Sequence, residues 1–361
     1  MRLSSLVRGL ALVAAFAAAT IVPVRAAGPD SIVFAWPGPL TIGFAPWVFA
    51  QDLGFFKEEN LEMSVVSLDG SGVILPQLMS GQVFTTFSTL DPLIISRQPG
   101  RPNFDFRFVY NSARNSIWEI SVLDNSPIKS VKDLGGKTIG VGALTFGNVS
   151  MTKAILKQAG VDPSSVNFVA VGTGVPAFQA LRTGKIDALN LFDIMDAQMK
   201  LEGTKIRLLK FPPEFTGVAS HAFPVTNKTI RERPDLVAKF GRISAEATVA
   251  CNANPTACLE SYWKHYPELR PAGSDADALR ENLSLLQVRL NNMMIWQDGE
   301  PHQYGLFSPK DWTTEIVSLK VGGQITQDPS LDTLYTNQFV PEFNKFDVGA
   351  VVRRAKAYKG S

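Results

Sequence analysis

Between Lys137 and Asp193 the apolar and polar positions follow a repeating order. Thr138 to Val141 is a short apolar run, which predicts a strand, and Asn148 to Ala159 sets Met151, Ile155, Leu156 and Ala159 at helical spacing. Gly160 ends that helix. A second unit follows, with a strand over Val166 to Val171, Gly172-Thr173-Gly174 opening a helix, Gly184 closing it, and a strand over Ile186 to Phe192. Strands alternating with helices in this way predict an α/β fold. In an open sheet of that kind ligands sit beyond the carboxyl ends of the strands, where helix N-termini present free N–H groups. The loops 142–148 and 172–176 are therefore candidate walls of a site.

The same pattern occurs about a hundred residues upstream. GSGVILPQLMSGQVFTTFSTLD, from Gly70 to Asp91, parallels GTGVPAFQALRTGKIDALNLFD, from Gly172 to Asp193. Each copy starts Gly-Ser/Thr-Gly-Val, has Gln (Gln77, Gln179) four residues after that Val, closes its helix with Gly, and ends on Asp after an apolar strand. A strand, loop and helix precede the first copy too: Ile32 to Trp36, then PGPLTIGFA, then a helix stopping near Leu53-Gly54. Two similar lobes are the economical reading of this duplication. Further strands are expected over Leu61 to Ser67, Phe106 to Asn111 and Ile117 to Leu123. Late in the chain, Leu283, Leu286, Leu290 and Met293 predict a packed helix over Leu279 to Met294, and Pro309-Lys310-Asp311-Trp312 opens another, to Leu319.

The N-terminal 26 residues break from this pattern. Arg2 and Arg8 form a basic start, Gly9 to Val22 a short apolar core, and Val24-Arg25-Ala26 offers small residues for cleavage, which together predict an export signal cut near Ala26. The apolar run is short for a bilayer span. Its removal takes three arginines, so the formal charge moves from +2 to −1, which argues against nucleic acid as a partner. Export also bears on the two cysteines, Cys251 and Cys258, which flank the turn NANPTA. They are either two buried thiols or a disulfide, and an oxidising compartment favours the bridge.

Phe49 to Leu61 (FAQDLGFFKEENL), Gly81-Gln82-Val83 and Ile128 to Val141 (IKSVKDLGGKTIGV) occur in an order that resembles the periplasmic solute-binding proteins of ABC importers. Within them the chain is similar to the group serving nitrate, sulfonates, taurine and thiamine-pyrimidine-like compounds. Phe223 to Val237 and Tyr335 to Phe339 extend the likeness over nearly all of the mature chain, while Phe84-Thr85-Thr86 departs from the usual pattern. The resemblance implies a two-lobed periplasmic binding protein fold of type II, each lobe a sheet flanked by helices, with two crossover hinge segments. The crossings are expected near Ile117 to Leu123 and Val218 to Val225. Lobe 1 then takes residues 30–117 and 222–350, with the C-terminal helices packed on it, and lobe 2 takes 118–221. The same resemblance implies a monomer in the periplasm that captures a small organic solute and passes it to a membrane permease with its ATPase.

Catalytic motifs are missing from the sequence. His221, His265 and His302 are scattered, no Cys/His spacing suits zinc, and there is neither a Gly-x-Ser-x-Gly elbow nor a P-loop. The glycines at 70 and 172 lack the rest of a dinucleotide fingerprint. No cofactor, metal or enzymatic activity is expected. The candidate cleft offers Trp36, Trp47, Phe146 and Phe192 as stacking surfaces beside Pro37 and Gly38, with Ser71, Ser88, Thr89, Thr145, Asn148 and Thr173 as neutral polar groups. Asp91 and Asp193 add carboxylates, which serve equally as helix caps or inter-lobe salt-bridge partners. These loops carry no Arg or Lys; helix N-terminal N–H groups alone could still hold an oxyanion, but the two carboxylates favour a planar solute that is neutral or amino-bearing. An enzyme resembling the thiamine-pyrimidine synthases, or a periplasmic ligand sensor, is the alternative to a transport component.

Overall fold

The computed structural model describes residues 28–212, 215, 220–273, 275–296 and 299–360. The export signal expected over 1–26 lies outside them. Among the described residues no helix is long and apolar enough to cross a membrane.

Among the described residues ten strands divide between two sheet layers. β1 (Asp30–Pro37) pairs in parallel with β2 (Leu61–Leu68) and with the short β3 (Thr85–Thr86). β4 (Phe106–Ala113) pairs antiparallel with β10 (His221–Thr226). A bridge from Ser88 to Ala222 and the Thr85 hydroxyl, 2.8 Å from the Pro224 carbonyl, join these two ribbons edge to edge. The first layer therefore runs β2-β1-β3-β10-β4. The second is a five-stranded sheet of β5 (Trp118–Leu123), β6 (Thr138–Val141), β7 (Asn167–Ala170), β8 (Ala188–Phe192) and β9 (Ile206–Leu208), ordered β7-β6-β8-β5-β9. The two orders correspond strand for strand, so the sequence duplication is a duplication of architecture. In each layer the third strand of the parallel trio meets a strand that has crossed from elsewhere in the chain: β10 in the first layer and β5 in the second.

Placement of the crossings needs correcting. Trp118–Leu123 lies wholly inside the second sheet, with Trp118 opposite Phe192, and His221–Thr226 lies wholly inside the first. The first link is 114–117, just before β5; the second leaves the second sheet after Leu209, whose N–H donates to the Ile120 carbonyl, and reaches the first at Ser220, whose N–H donates to the Ala113 carbonyl just before β10. Both runs are apolar because each strand is packed in a sheet, and an apolar pattern carries no mark of which sheet that is. Arg114, at the start of the first link, is buried and donates to Glu300 at 2.6 Å, so the link is fixed at one end.

The C-terminal helices also differ from expectation. The helix Asp275–Met293 packs on Asp193–Leu201, and Pro309–Val321 packs on Asn148–Gln158, so both touch helices of the second layer as well as the first. A separate apolar cluster around Phe106, Phe108, Phe307 and Trp312 seats Pro309–Val321 against β4. That helix begins with a capping box between Ser308 and Asp311.

Cys251 and Cys258 form a disulfide joining the helices Pro234–Ala253 and Pro255–His265, with both residues wholly buried. The loop it closes is short, so the chain-entropy model assigns it a stabilisation of about 2–3 kcal/mol, the lower part of the usual range. Replacing both cysteines by alanine is expected to lower the calorimetric melting temperature, and thiol titration of the unfolded, unreduced protein to find no free thiol. An unchanged melting temperature or two titratable thiols would contradict the bridge.

Candidate functional site

At the carboxyl ends of β1, β6 and β8 the two layers face each other across a narrow cleft. Trp36, at the end of β1, stacks on Phe87 with centroids 5.5 Å apart and planes 8° from parallel. Phe87 in turn stacks on His221, the first residue of β10, at 4.3 Å. From the other layer come Trp118, which begins β5, Phe146 in the β6 loop, and Phe192, which ends β8; Trp118 lies 5.5 Å from the His221 ring. Small hydroxyl groups from Thr41, Ser71, Thr89 and Thr173 interrupt this aromatic lining.

The walls close on each other through glycines. Gly70 holds φ +81, a conformation few other residues adopt, and a Cβ there would stand 2.8 Å from the Phe146 ring. A Cβ on Gly147 would overlap the Thr89 hydroxyl. The Thr145 hydroxyl donates across the gap to the Asp69 carbonyl at 2.7 Å. In this closed arrangement about 40 Å³ remains free inside, room for water but not for an organic ring.

Of the residues singled out from sequence, the structure brings Trp36, Pro37, Ser71, Thr89, Phe146, Thr173 and Phe192 to the cleft wall. Gly38 lies just behind, its Cβ position 3.3 Å from Phe146. Ser88 is buried beneath Ser71, with their hydroxyls 3.3 Å apart, and Thr145 is exposed at the rim. Asn148 faces inward and donates to the Asn190 carbonyl at 2.8 Å, tying its helix to β8.

The two aspartates do different things. Asp193 is an inter-layer ion-pair partner: Arg289 Nη2 donates to its Oδ1 at 2.8 Å and Asn292 to its Oδ2 at 2.6 Å, both from the helix Asp275–Met293. The cleft thus contains a cation, contrary to the expectation from its loops. Arg289 sits on the buried face of its helix between Leu286 and Leu290, and that misplaced charge within an apolar stripe was the available signal. Asp91 begins the helix Asp91–Ser96 in a small side cavity shared with Glu315. Burial pushes Asp91 up to about 6. Burial, with the Asp91 carboxyl beside it, pushes Glu315 up to about 8.

Trp47 is instead buried in the first layer, where its indole donates to the Ser244 hydroxyl at 3.1 Å; Phe87, Trp118 and Arg289 escaped the sequence reading, and His221 appeared there as one of three scattered histidines. It lines the cleft, with Nδ1 2.7 Å from the Ser220 hydroxyl. Burial, and then the Arg289 charge, hold it well below the usual imidazole range, so it is neutral. Among the described residues no group of three or more His, Cys, Asp and Glu is placed to hold a metal.

The model of a known family, NMT1/THI5 like, matches residues 41–258. The chain belongs to the NMT1/THI5-like family. A relative of this family member, the riboflavin-binding protein RibY of Chloroflexus aurantiacus, is 25% identical over 335 residues, covering 90% of this chain and 91% of that protein. Among solved structures, the alkanesulfonate-binding protein SsuA of Xanthomonas axonopodis pv. citri, bound to MOPS, superposes with a TM-score of 0.63 at 13% identity, over 86% of this chain and 99% of SsuA. The desulfurization enzyme DSZB superposes at 0.50 with 16% identity, over 87% of this chain and 98% of DSZB. These superpositions establish the periplasmic binding protein fold for this NMT1/THI5-like chain.

Two outcomes follow from the geometry. Gly147→Ala is expected to fold normally, since its φ of −64° suits alanine, but to resist closure. Forcing such an overlap costs about 1–3 kcal/mol, so solute affinity should fall about tenfold or more in calorimetric titration, and wild-type affinity would contradict the closed geometry. The second concerns pH. Asp91 and Glu315 both bind protons more tightly folded than unfolded, so their contribution to stability is complete at acid pH and is lost as pH rises through about 6 and about 8 respectively. Glu315→Gln should therefore flatten the fall in melting temperature between pH 6 and 9, and a fall as steep as wild type would show that Glu315 does not titrate there.

Proposed function

We propose that this chain is the periplasmic solute-binding component of an ABC importer, and that its solute is a planar aromatic molecule enclosed between two lobes. The observation that carries this reading is the convergence of Trp36, Phe87, Trp118, Phe146, Phe192 and His221 from both layers onto one cleft. Lobe 1 comprises residues 30–113 and 221–350 and lobe 2 residues 118–208, moving about the links before β5 and β10. A hinge of this kind lets each lobe supply half the contacts and release the solute unchanged to a permease and its ATPase. The riboflavin-binding relative makes riboflavin the first solute to try: the rings match its flat head, and Thr41, Ser71 and Thr173 can bond a hydroxylated tail. Export by the N-terminal signal belongs to the same proposal.

One observation favours the enzyme alternative. A neutral histidine, His221, does face the cleft, and DSZB shows that the fold hosts catalysis. Against it, the two cysteines are bridged and buried far from the cleft lining, leaving no thiol there. A receptor-coupled sensor would use the same clamp, and uptake of labelled solute by cells with and without the gene distinguishes it from a transport component.

Calorimetry of the mature protein with riboflavin is expected to give one site of micromolar or tighter affinity. Stacking on Trp36 adds about 1 kcal/mol beyond burial, so Trp36→Ala should weaken it by roughly tenfold or more. Chromatography of the released solute should recover riboflavin intact. Unchanged affinity in the variant would remove Trp36 from the site, and a chemically altered product would establish the enzyme instead.

A further inference from the structure

The cleft holds donor-only groups that the protein does not satisfy. Arg289 has a side chain 5% exposed and gives Nη2 to Asp193, yet its Nε and Nη1 are buried with no acceptor among the described residues. The Trp118 indole Nε1 is buried without an acceptor as well. Both residues line the cleft. The guanidinium lies beside the principal stacking ring, because a Cβ on Gly43 would meet Arg289 Nε at 3.6 Å and Trp36 Cη2 at 3.5 Å. His221 lies on the same wall, its Nδ1 2.7 Å from the Ser220 hydroxyl, whose oxygen also accepts the Ile117 N–H at 3.2 Å. Buried donors without acceptors are costly, so what fills this cleft has to bring acceptors.

The charge balance narrows the choice. The Asp193 carboxylate already compensates Arg289, and His221 is neutral. A sulfonate or carboxylate would enter as an unpaired buried anion, which a low-dielectric site disfavours. A ring edged with amino groups would set donors against donors.

We infer that the cleft selects a neutral planar ring system whose edge carries carbonyl oxygens, as in an imide or cyclic dione, and that Arg289 is the residue that reads this edge. The inference rests on the solute-binding reading above and specifies the solute class for that same cleft. It also replaces the neutral-or-amino expectation drawn from the loops, which did not include Arg289.

Calorimetric titration of the mature protein with three probes tests it: lumichrome, a flat dione without a sugar-like tail; 4-amino-5-hydroxymethyl-2-methylpyrimidine, an amino-edged ring; and naphthalene-2-sulfonate, a flat anion. Wild type should bind lumichrome at least about 30-fold tighter than either other probe, the worth of two well-placed hydrogen bonds. Arg289→Gln should lose about 30-fold or more for lumichrome. Arg289→Lys keeps the charge opposite Asp193 but not the planar fork, and should still lose about tenfold while melting near the wild-type temperature. Wild-type lumichrome affinity in Arg289→Lys, or preference of the wild type for the amine or the sulfonate, overturns the inference and leaves solute binding intact. Binding of none of the three while riboflavin binds overturns the inference alone, and failure of riboflavin as well overturns both.

Discussion

A buried guanidinium is tolerated only where a carboxylate and hydrogen-bond acceptors surround it, and the pairing of Arg289 with Asp193 meets half of that demand. The two residues stand 96 positions apart, on helices belonging to different layers. Their contact holds the helix Asp275–Met293 against the N-terminus of Asp193–Leu201, and with it the position of the two layers around the cleft. Opening the cleft means exposing this pair to water, where it loses little, whereas closing it empty leaves Arg289 with unmet donors. A solute that supplies acceptors removes that penalty. In the proposed clamp the closed state is thus stabilised by the solute's chemistry as well as by the apolar area it buries.

The aromatic lining works on the same principle. Trp36, Phe87 and His221 form a continuous stack contributed by β1, the segment after β3, and β10, so both chain passages through the first layer build one surface. Trp118 begins β5 immediately after the first link between layers, and His221 begins β10 immediately after the second. The rings that line the cleft are therefore attached at the links between layers, about which the proposed closure turns. Side-chain packing at those rings and the angle between layers are coupled by position alone.

Much of this was legible in the sequence. The duplicated run from Gly70 to Asp91 and from Gly172 to Asp193 marks the loops that form opposing walls, because glycine at a helix start and a polar strand end are local requirements. The expected export and a short turn favoured the Cys251–Cys258 bridge that the structure contains. What stayed hidden depends on which strand enters which sheet. Trp118 and His221 sit on strands whose apolar patterns are the same whether they cross or continue, so the crossings were placed a few residues late. Arg289 reaches the cleft from a helix nearly a hundred residues beyond the second repeat, and only its intrusion into an apolar face hinted at burial. Asp91 and Asp193 occupy matching positions in the repeat yet diverge, one into a carboxyl pair with Glu315 and the other onto Arg289, because the C-terminal helices that meet them are not duplicated.

The central claim is that two lobes close around a flat, acceptor-bearing solute. Small-angle scattering of the mature protein, with and without saturating riboflavin, tests it most directly. The account predicts a smaller radius of gyration when riboflavin is present. Identical profiles in the two conditions, with riboflavin demonstrably bound, would contradict it.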